Sequence, residues 1–435
     1  ANREVLVSVT FGTLALTALV RLREEARLRH AALATLFFTL SMLGGEYALS
    51  FGGYALAFAL TGGHAGTPSR KGGRVLALVS FSVPAALYLF VRAKLGYGAA
   101  GSGFYHDPFH DPAAFLQRVP RRLATLLAES WFTLPEDTVS PPTSAWVAAV
   151  IVALGIAVLV VPLQRALKQM DAERRVHARW LLIGSLLALV PVLAVAPAPR
   201  VLAASTLGMA ATVAVILERA WFPLATEARS GKSEFSGLVA LGLGFAHLVH
   251  GPASAWLTSR GCRAQGMAFA EHAKTLRAHV PDPAHTEVVL VRGLGGAPFV
   301  LPYALDALGT PPSAWRLLAV TGHVLVSRRD ARTIDVAVKR NDSLFPSGEG
   351  DLFRGEVAPM VPGDVVRVPG MSATVLDVGD AGPSRVRFEF DDPLESSSRV
   401  WVADRFDGII EAPPPAIGFG QPLDPFPPPE ERHTP

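Results

Sequence analysis

From Glu4 to about Leu257 the sequence alternates long apolar runs with short basic connectors, and this pattern restricts the fold more than any other feature of the chain. Runs of near-spanning length occupy about 4–20, 75–93, 145–163, 179–197, 200–217 and 236–257. Each is close to the roughly 20 residues a helix needs to cross a hydrocarbon core. The stretch 31–61 is too long for one crossing and is interrupted by Gly44, Gly45 and Glu46. It reads as two short segments, 31–45 and 47–61, that meet at Glu46. Backbone within hydrocarbon must satisfy its own hydrogen bonds, so continuous apolar runs imply helices. The expected fold class is a polytopic α-helical membrane protein of about eight transmembrane helices with a C-terminal soluble α/β plus β-rich domain. A mean hydropathy of +0.33 over 435 residues agrees with the membrane part.

Basic residues set an expected orientation. One group of connectors holds Arg21, Arg23, Arg27 and Arg29, then Arg70, Lys71 and Arg74, then Arg165, Lys168, Arg174, Arg175 and Arg179, then Arg219, Arg229 and Lys232. With eight crossings all four fall on one side, which the excess of arginine and lysine makes cytoplasmic. The Glu46 turn, the loop 94–144, the Pro197–Arg200 turn and the C-terminal domain then face outward. Arg118, Arg121 and Arg122 in the outer loop run against the trend. The net charge is only +3 and the arginines flank membrane segments, so the basic balance predicts topology and not nucleic-acid binding. A single cysteine, Cys262, excludes an internal disulfide and a multi-cysteine zinc site.

The expected organisation is a transmembrane domain over 1–258, a soluble α/β and β-sandwich-like domain over 259–412, and a proline-rich tail, extended or disordered, over 413–435. Within the loop 94–144, residues 111–132 space Phe115, Leu116, Leu123, Leu126, Leu127 and Trp131 along one helical face, with Arg118, Arg121 and Arg122 opposite. Such a helix is expected to lie in the membrane interface, kinked at Pro120. The segment "GLGGAP" (293–298) between a strand and a helix invites a phosphate-loop reading. It lacks the full glycine pattern and a following lysine, so a tight strand-to-helix turn is expected instead.

Two positions carry chemistry. In "GFYHDPFHDP" (103–112), His106, Asp107, His110 and Asp111 are suitable metal ligands, but Pro108 and Pro112 oppose a continuous helix that would present both histidines. Aspartate before proline is a helix start, with the carboxylate accepting N–H bonds and proline at the first helical position. Cap and turn therefore account for more of the motif than metal or substrate contact do. Glu46 is an ionisable residue between two apolar segments, and such a residue is disfavoured unless it is wet, paired or facing a polar cavity. Arg200, in "PAPRVL", is expected on the same face, as a partner for Glu46 or an anion contact.

Three stretches, "LFFTLSMLGGEYALSFGGYALAFAL" (36–60), "LGYGAAGSGFYHDPFHDPAAFL" (95–116) and "APAPRVLAASTLGMAATVA" (196–214), resemble later membrane segments of the GT-C superfamily of integral-membrane glycosyltransferases, especially large uncharacterised bacterial members. The C-terminal domain is similar to their extracytoplasmic domain. Glu46 falls at the family's acidic turn, Tyr105 and Asp107 in its outer-loop motif, and Arg200 with Gly208 in its arginine segment. The resemblance implies transfer of a sugar from a polyprenyl-phosphate donor outside the cytoplasm of a bacterial inner membrane. Glu46 and Asp107 are then the expected catalytic residues, with Arg200, Tyr105, His106 and Asp111 binding substrate. It implies no cofactor apart from a divalent cation in some members, and no metal residue is assigned. Membrane lipid and the donor are the expected partners. Gly45 stands where many relatives carry lysine. The family's first outer loop, with its aspartate base, is expected upstream of Ala1 if the sequence is a piece of a longer chain, and the catalytic half is expected to be absent if it is complete. The rival reading is a non-catalytic membrane scaffold subunit whose outer domain binds partners in a cell-envelope complex.

Overall fold

Apolar runs fold as helices and alternating runs as strands in the computed structural model, which describes residues 3–25, 27–61, 71–97, 105–109, 111–134, 145–222, 231–280, 282–339, 341–345 and 358–425. Two units result, one of residues 1–100 with 105–255 and one built on 256–435.

The first unit is helical: α1 (Arg3–Glu25), α2 (Leu28–Met42), α3 (Phe51–Thr61), α4 (Lys71–Lys94), α5 (Pro112–Phe132), α6 (Ala145–Lys168), α7 (Ala172–Leu187), α8 (Ala203–Trp221), α9 (Gly231–Phe245) and the start of α10 (Gly251–His279). Among the described residues, six helical stretches are long and apolar enough to cross a membrane. The two segments expected around Glu46 are shorter. At about 1.5 Å per residue, α2 reaches roughly 22 Å against a core of about 30 Å, and α3 has only 11 residues. Between them Gly44 and Gly45 are required by geometry. A Cβ on Gly44 would stand 2.4 Å from the Glu4 carbonyl oxygen, and Gly45 has φ +114°.

Helices here approach through small residues. The Ser8 and Ser41 hydroxyls each donate to the other's backbone carbonyl, joining α1 to α2 at 3.0 and 2.6 Å. The Tyr54 hydroxyl donates to the Ala204 carbonyl at 2.8 Å and accepts the Gly208 N–H at 2.9 Å. It thus stands inside the α8 ladder in place of one helical bond. Gly208 itself has no room for a Cβ, which would lie 2.1 Å from the Leu181 carbonyl oxygen on α7. Trp180 completes the joint by donating its indole N–H to the Tyr54 carbonyl. Close backbone approach and hydrogen bonds between helices replace the hydrophobic drive that lipid cannot supply.

The second unit contains the rest of α10, then β1 (Glu287–Arg292), α11 (Ala297–Ala307), β2 (Ala314–Leu317), β3 (Val324–Arg328), β4 (Thr333–Ala337), β5 (Val365–Val368), β6 (Met371–Gly379), β7 (Gly382–Phe390), β8 (Arg399–Arg405), β9 (Gly408–Glu411) and β10 (Gly420–Leu423). One sheet has the order β2-β1-β8-β9, with β1 parallel to both neighbours, and the other has the order β10-β3-β4-β7-β6-β5, with antiparallel pairs. Side chains alternate along β1, so Val288 and Leu290 pack with Leu276 of α10 and Leu301 of α11. Val289 and Val291 face the other way, toward Val326, Ile334 and Phe388 of the six-stranded sheet. The α/β plus β-rich expectation describes this unit. The proline-rich end differs from its expected role as a tail, because Gly420–Leu423 pairs with β3 as an edge strand and Leu423 is buried.

Candidate functional site

Asp111 does what a residue before Pro112 is built to do. Its carboxylate accepts the Ala114 N–H at 3.0 Å and caps α5. Asp107 makes the preceding turn, accepting the Phe109 N–H at 2.8 Å, while its carbonyl accepts the Asp111 N–H at 3.0 Å. His110 lies outside the described residues, among which no group of three or more His, Cys, Asp or Glu side chains could hold a metal ion.

The helix that follows corrects one expectation. Arg122 is not on a polar face: it is 1% exposed. Its guanidinium donates to the Leu193 carbonyl and to His106 Nδ1, both at 2.8 Å. Guanidinium has no acceptor, so Nδ1 of His106 is unprotonated and its proton sits on Nε2. Around it Ala124, Leu126, Leu127, Ala128 and Trp131 join a core with α6, α8 and α9, so the second half of α5 turns its apolar face to other helices of the unit. The His106 N–H donates to the Ala194 carbonyl at 2.8 Å, and Tyr105 bridges Val195 as an isolated β pair. His247 and His250 anchor the far end of α5, at the Trp131 carbonyl (3.0 Å) and the Thr133 hydroxyl (2.9 Å). They lie on a single turn of π-helix, Ala246–His250, between α9 and α10.

Residues 105–107 bring Tyr105 toward Glu46. Arg92, in the last turn of α4, forms an ion pair with Glu46 (Nε to Oε1, 2.5 Å) and lies 5.0 Å from the Tyr105 ring centroid. A guanidinium over an aromatic face is attracted by the ring quadrupole. Burial pushes the Tyr105 phenol above its ordinary range, opposed by Arg92 and reinforced by Glu46 and Asp107. The carboxylate is 38% exposed, so the cluster opens to solvent. Glu46 and Tyr105 are therefore brought together through Arg92, while the His106 ring is bound to Arg122. Arg200 is exposed on the 3-10 turn Pro199–Leu202 and, among the described residues, forms no ion pair. The expected Glu46–Arg200 pair is replaced by Glu46–Arg92.

A second cluster lies in the other unit. Asp404, at the end of β8, is 1% exposed. One of its oxygens accepts the Leu294 N–H at 3.0 Å, and the other is 3.4 Å from Nδ1 of His272. Arg292 is fully buried and donates to the carbonyls of Asp404 and Gly322. Burial raises the Asp404 carboxyl and lowers the Arg292 guanidinium to about 10. The strand-to-helix turn with Gly295 at φ +52° thus holds the protein's own carboxylate at a position a phosphate would need.

No protein-family model, curated protein or solved structure matches this chain.

Proposed function

We propose that this protein is a membrane glycosyltransferase-like enzyme that moves a sugar from a polyprenyl-phosphate donor on the extracytoplasmic side of a bacterial inner membrane. The observation that carries the reading is the accessible Glu46 carboxylate paired with Arg92 beneath Tyr105. In this role Glu46 orients an acceptor hydroxyl or a cation, Arg92 and the exposed Arg200 face donor phosphate, and Tyr105, His106, Asp107 and Asp111 shape the acceptor side. An arriving acceptor competes with Arg92 for the carboxylate, which links acceptor binding to release of a cation toward phosphate. Glu46→Gln keeps the shape and removes the charge, so transfer from a polyprenyl-phosphate sugar should fall by about 10²-fold, the scale of a positioned acid or base. Undiminished transfer by this variant removes Glu46 from the mechanism.

The scaffold reading is favoured by a different observation: Asp107 and Asp111 already spend a carboxylate oxygen on the Phe109 and Ala114 amides. A scaffold predicts no transfer across a donor panel and unchanged partner capture in Glu46→Gln. In either reading eight crossings, with the short segments around Glu46 counted as two, keep the basic connectors cytoplasmic. Cysteine labelling in intact cells tests that arrangement, because the native Cys262 is exposed. Cys262 and a cysteine at Phe109 should react from outside, and a cysteine at Arg27 in a Cys262→Ser background should not.

A further inference from the structure

We propose that the cleft where α6, α8 and α9 meet binds the phosphate group of an anionic membrane lipid. Pro162, Arg165, Ile216, Arg219 and Ser236 line it. Arg165 lies in the last turn of α6 and Arg219 in the last turn of α8, while Ser236 is near the start of α9. Two guanidinium-bearing side chains and a buried hydroxyl thus converge where three apolar helices end.

Arginines in a last turn often do no more than complement the negative end of a helix. The carbonyls at the end of α6 are bound by Arg175, which donates to Leu167, Lys168 and Met170 at 2.8, 3.3 and 2.7 Å. Arg219 has a buried Nε–H with no acceptor among the described residues, and a buried donor left unpaired is destabilising until an acceptor arrives. Phosphate oxygens are suited to it, since guanidinium offers planar, charge-assisted hydrogen bonds that match them.

The surroundings favour a lipid as the source. Trp221, Phe222, Phe235 and Leu238 are exposed on the flanking parts of α8 and α9, as expected of aromatic and apolar residues at headgroup depth. The enclosed space is about 20 Å3, enough for one water-sized group. A phosphate would therefore seat an oxygen or two there and leave its ester outside, which suits a headgroup whose acyl chains lie along the helices.

Native mass spectrometry of the full chain, extracted in detergent and loaded with phosphatidylglycerol or phosphatidylcholine, tests the proposal. One phosphatidylglycerol should stay bound under conditions that strip phosphatidylcholine. The double substitution Arg165→Gln with Arg219→Gln should weaken retention about thirtyfold, from roughly fivefold per arginine near a bilayer surface. Arg174→Gln, at the same end but paired with Glu218 outside the cleft, should change it less than twofold. If the double variant misfolds, Arg219→Lys keeps the charge and removes the fork, and should still weaken retention measurably. Equal retention by wild type and a folded cleft variant overturns the site. Stabilisation of lipid-free wild type by inorganic phosphate, absent in the double variant, would keep the phosphate chemistry and overturn the lipid as its source.

Discussion

The two units solve opposite solvent problems with the same residues. In α4, Val75, Val79, Val83, Leu87 and Phe90 are exposed while Ala77, Ser80 and Phe81 are buried. In β1 the apolar Val288, Val289, Leu290 and Val291 are all buried, and the polar Glu287 ties the strands together through Arg316 and Arg399 at 2.9 and 2.6 Å. Apolar surface is therefore the outside of one unit and the inside of the other. Water drives burial in the second. In the first, lipid is as apolar as leucine, so cohesion falls to close packing and to hydrogen bonds between elements. An outward leucine and a buried arginine consequently mean different things in each half.

The strongest way to break this comparison is to remove an interior polar joint. Arg122→Leu removes the buried hydrogen bonds to the Leu193 carbonyl and His106 Nδ1, and each such buried loss costs about 1–3 kcal/mol. The helical unit should lose roughly 2–6 kcal/mol, read as a fall in its melting temperature in detergent. A neutral outcome would mean that apolar packing alone holds α5 in place.

Paired leucine truncations sharpen the contrast. Leu290→Ala empties a fully buried site and should cost about 2–5 kcal/mol, whereas Leu87→Ala, on an exposed face, should stay within roughly 0.5 kcal/mol. Hydrogen exchange of the full chain resolves the two units separately. Comparable losses at both positions contradict the inversion.

Acid should act on the second unit through Asp335. Burial opposes its ionisation, but hydrogen bonds from Arg387 and Arg329 at 2.9 and 2.6 Å outweigh that, and the carboxyl sits below its ordinary 3.8. A depressed folded pKa gives stability that is complete above the unfolded value and is lost as pH falls through the folded one. Protection of β4 and β7 amides should therefore drop below about pH 4, and Asp335→Asn should flatten that response while costing about 1.5–3 kcal/mol at neutral pH. Asp404 is shifted upward and so has the opposite sign, losing stability as pH rises above 3.8.

The smallest effect tests the cap. Asp111→Ala should cost about 0.5–2 kcal/mol of helix stability, and Asp111→Asn should be nearly silent, because asparagine still offers an oxygen to the Ala114 N–H. Circular dichroism of the purified chain, followed through thermal unfolding, separates the two substitutions.

Local chemistry was the most legible part of the sequence. Gly44-Gly45-Glu46 announced a break, Asp111-Pro112 announced a cap, and alternating runs announced the sheets, because each depends on a few adjacent residues. Arg92 and Arg122 were missed for a common reason: their roles depend on partners far along the chain. A signal existed for Arg122, which follows Val119 by three positions and precedes Leu126 by four, placing it on the apolar stripe. The rule that charges face outward hid it. For Arg92 the basic end of an apolar run looked like an ordinary membrane flank, and nothing local joined it to Glu46. The pairing of Gly420–Leu423 with β3 was equally distant and was masked by neighbouring prolines.

That late strand has a consequence during synthesis. Strands β3 to β7 all leave the ribosome before β10, and roughly a hundred residues separate β3 from its partner, so at 5–20 residues per second the edge of β3 stays open for about 5–20 s. An unpaired edge is a template for any other extended chain, and Val324–Arg328 offers two apolar residues toward the core with Leu325 exposed between them. Nascent chains are thus most prone to cross-pairing in the interval before Gly420 arrives, a hazard of timing that the finished sheet no longer displays.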